Sequence, residues 1–71
     1  SAGHKEEKSM MREDYNGYEL STVWDDEALG FGFRIHDKNG AEVSHSTDTY
    51  FYEENALIAA RAAADALTAQ E

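Results

Sequence analysis

The chain has no cysteine and no proline among its 71 residues. Without cysteine, neither a disulfide framework nor a thiolate zinc site can staple the fold. That lack also suits a reducing compartment, and we expect a cytoplasmic protein. Basic residues are few: six Lys and Arg face fifteen Asp and Glu, for a formal charge of −9. Phosphate backbones and anionic membrane surfaces are held by basic patches, so both are disfavoured as partners. The deficit is not confined to one tail. From Tyr15 onward there are eleven acids and three bases, Arg34, Lys38 and Arg61. No apolar run approaches the roughly 20 residues of a membrane span. The opening "SAGHKEEKSM" lacks the apolar stretch of a secretory signal. A chain of this length forms one small domain with a thin stability margin.

What is present is mostly pattern. Residues 1–14 are dense in Lys, Glu, Ser and Arg and read as a disordered lead, with "SAGH" read as a tag remnant. Residues 15–71 read as a single β-β-β-α domain. In "YELSTVW", Tyr18, Leu20, Thr22 and Trp24 alternate with Glu19, Ser21 and Val23. "FGFRIH" sets Phe31, Phe33 and Ile35 against Gly32, Arg34 and His36, and "AEVSHS" alternates a third time. A period of two with aromatic and β-branched residues predicts strands. "DDEALG" and "DKNG" are turn signals between them. The period then lengthens. In "YEENALIAARAAADALTAQ", Tyr52, Ala56, Leu57, Ala59, Ala60, Ala63, Ala64 and Leu67 share one arc of a helix, opposite Glu54, Arg61, Asp65 and Thr68. Glu53 and Glu54 fall in the first turn, where negative charge suits the helix dipole, and the start is expected between Tyr50 and Glu53. The fold class is therefore α+β: a three-stranded antiparallel meander against one C-terminal helix. Most of the eight aromatic rings are expected in its core.

The densest cluster of chemistry-bearing groups is "HDKNGAEVSHS", His36 to Ser46. A type I turn with Gly40 in the left-handed position pairs Asp37 with Ala41 and His36 with Glu42. That register sets Ile35 against Val43 and Phe33 against His45. His45 then points toward the helix and His36 away from it, so the two rings cannot join one metal or acid–base site. Ser44, Ser46 and the histidines supply the residue types of a nucleophile triad, but a triad needs them in hydrogen-bond contact beside a pocket. The run Asp25 to Glu27 lacks the alternating ligands of a calcium loop. We therefore expect no catalytic residue, no metal and no cofactor. The expected function is a non-enzymatic protein-interaction module with an unknown protein partner. Phe51, Glu54, Ile58 and Arg61 are its candidate surface.

Two resemblances bear on this. The β-β-β-α order and the alanine-rich last helix resemble the double-stranded-RNA-binding domain. That likeness implies nucleic-acid binding as an alternative. Where that family has phosphate-gripping lysines, however, this chain has Glu53 and Glu54, and the family's first helix has no counterpart. Phe33-Arg34-Ile35, Asn39-Gly40, Glu42-Val43, Ser46 and Tyr50 make Tyr18 to Leu67 similar to the small bacterial domains of unknown function of the YegP kind. That resemblance implies no catalytic residues, and it implies self-association, because such domains often occur as tandem pairs. With Glu19 and Glu42 on the expected edge strands, we expect a monomer or a weak homodimer.

Overall fold

The protein is described here from a computed structural model, which describes residues 9–70. The element order is β1 (Ser9–Tyr15), β2 (Tyr18–Asp25), β3 (Gly30–His36), β4 (Glu42–His45) and α1 (Glu53–Ala69). The four strands form one antiparallel sheet in the order β1-β2-β3-β4. The sheet thus has one strand more than the three expected. The added strand covers residues 9–14 of the segment read as a disordered lead; residues 1–8 lie outside the described residues.

A two-residue turn creates β1. Asn16 and Gly17 both hold positive φ, 53° and 85°, and Tyr15 pairs with Tyr18 across them. Asn-Gly supplies the left-handed pair of conformations that a tight hairpin turn needs at little cost. Consequently β2, expected at an edge of the sheet, lies inside it.

The turn between β3 and β4 closes as expected. The Asp37 N–H donates to the Ala41 carbonyl at 2.9 Å, the Gly40 N–H to the Asp37 carbonyl at 2.9 Å, and Gly40 sits at φ 89°. His36 is paired with Glu42. The register then shifts, because Val43 is an extra residue in β4: Ile35 pairs with Ser44 and Arg34 with His45. The bulge turns His45 to the side away from the helix and leaves Val43 40 % exposed. The expected pairs Ile35–Val43 and Phe33–His45 do not form.

α1 lies across β2 and β3. Its buried residues are Ala56, Leu57, Ala60 and Ala64, of which Leu57, Ala60 and Ala64 pack in one cluster with Leu20, Phe33 and Ile35. The alanine stripe lets the helix approach closely, and the sheet supplies the bulk. Each fully buried Leu or Ile side chain here contributes roughly 1.5–3 kcal/mol. Of the aromatics, only Phe33 is buried; Tyr15, Tyr18 and Tyr50 are partly buried against the core cluster, and Trp24, Phe51 and Tyr52 are exposed. A small core has no room for eight rings, so most of them line its rim or leave it.

Two charged residues on the helix-facing side of the sheet system match each other. Glu13 of β1 receives a forked pair of hydrogen bonds from Arg61 of α1, from Nε at 2.8 Å and from Nη2 at 2.6 Å. At the far end of α1, Asp65 accepts from the Tyr15 hydroxyl at 3.0 Å and from the Asn16 amide at 3.3 Å. At its start, the Thr22 hydroxyl donates to Glu53 at 2.9 Å and accepts from the Met11 N–H at 3.0 Å. These bonds fix the direction of the helix: it starts over Thr22 and ends over Tyr15.

Candidate interaction surface

Tyr50 opens the surface. Its N–H and carbonyl exchange hydrogen bonds with Phe31 at 2.7 and 2.8 Å, so the connection between β4 and α1 runs beside the first residues of β3. Gly30 permits that approach: a Cβ there would stand 2.8 Å from the Thr49 side chain and 3.1 Å from the Tyr50 carbonyl. Phe31 pairs with Trp24 across the sheet, ring centroids 5.0 Å apart and edge to face. Past Tyr50 the chain turns outward. Phe51 and Tyr52 leave the core, 79 % and 62 % exposed, and stack edge to face at 4.8 Å. Tyr52 is the residue before the helix, with extended backbone, which takes it off the buried arc expected for it.

The β2–β3 turn completes this end. The Asp25 carboxylate accepts the Glu27 and Ala28 N–H groups at 2.9 and 3.1 Å, and its carbonyl accepts the Leu29 N–H at 2.8 Å. The turn holds Leu29 at φ 56° with 71 % of its surface exposed. The Trp24 indole N–H donates to Asp26. One end of the molecule therefore gathers Trp24, Leu29, Phe51 and Tyr52 with Asp25, Asp26, Glu27, Asp48, Glu53 and Glu54. Among the described residues, this turn, the connection after β4 and the first turn of α1 contain no base. Arg34 and Lys38 lie further along β3 and beyond it, and Arg61 sits two turns into α1 on Glu13.

Of the residues expected to form the surface, Phe51 and Glu54 belong to this end. Ile58 lies on the solvent side of α1, 56 % exposed. Arg61 is half-buried and engaged by Glu13. Trp24, Leu29 and Tyr52 were not expected there. An apolar Leu29 inside an otherwise acidic turn, and a Trp beside that turn, were the available signals.

The histidine cluster is arranged differently from expectation. His36 and His45 lie on the same, uncovered side of the sheet because of the bulge. Glu42 binds Arg34 Nη1 at 2.9 Å and approaches His45 Nδ1 at 3.4 Å, instead of joining His36. His36 Nδ1 is enclosed without a hydrogen-bond partner. Among the described residues, no three His, Asp or Glu side chains stand where they could hold a metal ion. Ser44 is paired with Ile35, and the Ser46 hydroxyl oxygen accepts the Phe33 N–H at 3.1 Å, so the serines and the histidine rings are not assembled together. A shallow groove at the opposite end runs between the two hairpin turns, lined by Asp14, Tyr18, Glu19, Asp37 and Lys38. No described helix is long and apolar enough to cross a membrane.

No family model, no curated protein and no solved structure matches this chain.

Proposed function

We propose that this protein is a small acidic interaction module of the cytoplasm. It docks a basic, apolar-containing segment of a partner protein on the end formed by Trp24, Leu29, Phe51 and Tyr52. The observation that carries this reading is the coincidence at one end of four exposed large apolar residues and six acids. Single exposed apolar residues are ordinary, but a cluster rimmed by one sign of charge selects a partner. The acids attract Lys and Arg, the ring faces accept the cations, and the apolar side chains of the partner cover Leu29 and Phe51. The backbone at Leu29 supports the same reading, since a leucine at positive φ costs stability and its exposed side chain recovers little of it by burial. Nucleic-acid binding is the weaker alternative: phosphates would meet the same acids. We read the module as a binder rather than an enzyme.

Calorimetric titration with two peptides of equal apolar content, one rich in Lys and Arg and one rich in Asp and Glu, tests this. The basic peptide is expected to bind, more weakly as salt screens the charges. Equal binding of both peptides, or tighter binding of duplex RNA than of the basic peptide, would overturn the reading.

A further inference from the structure

The strand β1 is a seven-residue edge of the sheet. Its hydrogen-bonding parity follows from the two-residue turn after it. The Tyr15–Tyr18 pair that closes such a turn exchanges both backbone hydrogen bonds. Alternation then directs the backbone groups of Glu13 and Tyr15 toward β2 and those of Arg12 and Asp14 away from it. The side chains alternate too. Glu13 and Tyr15 face α1, whereas Arg12 and Asp14 are exposed on the uncovered side.

We propose that two copies of this chain pair through β1, antiparallel about a two-fold axis at Glu13. Arg12 of each copy then lies directly opposite the partner's Asp14, and these two residues carry the outward backbone groups, so each such pair closes two hydrogen bonds. Opposite charges on facing side chains add to them. Charge selects this register. A shift of two residues in total sets Arg12 against the partner's Arg12, or Asp14 against the partner's Asp14, and like charges face each other. A shift of one residue sets an α1-facing side chain against an outer one, which mismatches the two faces. In the proposed register the 40 % exposed Met11 meets the partner's Tyr15. Glu13 meets the partner's Glu13, but Arg61 holds each carboxylate in a fork. The edge has no proline to block pairing, and its outer face carries one charge of each sign, Arg12 and Asp14, so that face complements a second copy where a single-sign face would repel one.

Sedimentation equilibrium of the full chain and its charge-swapped variants decides this. The unsubstituted chain is expected to dimerise. Arg12→Glu and Asp14→Arg, each checked for folding by circular dichroism, are each expected to weaken the dimer about tenfold or more. An equal mixture of the two restores complementary pairs at both positions and is expected to dimerise again. In the unsubstituted dimer, the Arg12 and Asp14 amides are expected to exchange more slowly than on dilution, a readout that needs no variant. A monomer at about 1 mM, single variants as dimeric as the parent, a mixture that stays monomeric, or amide exchange unchanged by dilution would each overturn the proposal.

Discussion

Leu29 has both its backbone and its surroundings against it. An L-residue at positive φ costs roughly 1–2 kcal/mol, and Leu29 sits at φ 56° with 71 % of its surface in water. Leu29→Gly relieves the backbone while loosening the unfolded chain. The variant is expected to be as stable as the parent or up to about 1 kcal/mol more so in urea unfolding. It is also expected to bind the basic peptide several-fold more weakly. A variant that is less stable and binds equally well would show that Leu29 serves the fold. At the same scale, Arg61 determines the acid behaviour of Glu13. The hydrogen bonds from Arg61, helped by its charge and opposed by partial burial, hold the Glu13 carboxyl below the ordinary glutamate range. The folded state therefore binds this proton less readily than the unfolded chain. The contribution to stability is complete above the unfolded pKa and is lost as pH falls through the folded one. Following the Glu13 carboxyl by NMR during acidification is expected to show a depressed midpoint, which Arg61→Gln returns to the ordinary range. An ordinary midpoint in the parent would mean that the fork does not persist in solution.

The elements depend on a few close approaches. Gly30 lets the Thr49–Tyr50 connection lie against β3, and a methyl group there would meet Thr49 and the Tyr50 carbonyl. Gly30→Ala is expected to cost about 1–3 kcal/mol in thermal or urea unfolding. It should also disturb the aromatic signals of Phe51 and Tyr52; an unchanged midpoint would argue that the connection is not seated. These elements were unequally legible in the sequence. The 3.6-residue spacing of Ala56, Ala60 and Ala64 located the helix, and Asp37 to Gly40 located a turn down to its left-handed glycine. The strand β1 was hidden because a core-side glutamate looks like solvent-facing polarity. Only Arg61, 48 residues away, makes Glu13 compatible with that side. Asn16-Gly17 between two tyrosines was nonetheless a hairpin signal in plain sight. The Val43 bulge had no such mark, and it alone put His45 on the wrong side of the sheet. Tyr52 misled for another reason: a residue at a helix boundary follows the entry angle of the chain, not the helical period.

Across the whole molecule, charge and exposed apolar surface are distributed in a consistent way. Residues 9–70 hold twelve acids and four bases. Two of the bases, Arg34 and Arg61, are paired with Glu42 and Glu13, away from the Trp24 end. Among the described residues that end has no base beside its acids and its rings are exposed, while the opposite groove has Lys38 beside its acids. Both ends are negative, so affinity for a basic peptide alone does not say which one is used. The direct measurement is amide and indole chemical-shift mapping of the labelled chain during titration with the basic, apolar-containing peptide. The expected result is that shifts concentrate on the Trp24 indole, Leu29, Phe51 and Tyr52 and saturate together. Shifts centred instead on Asp14, Tyr18, Glu19 and Asp37 would contradict the account.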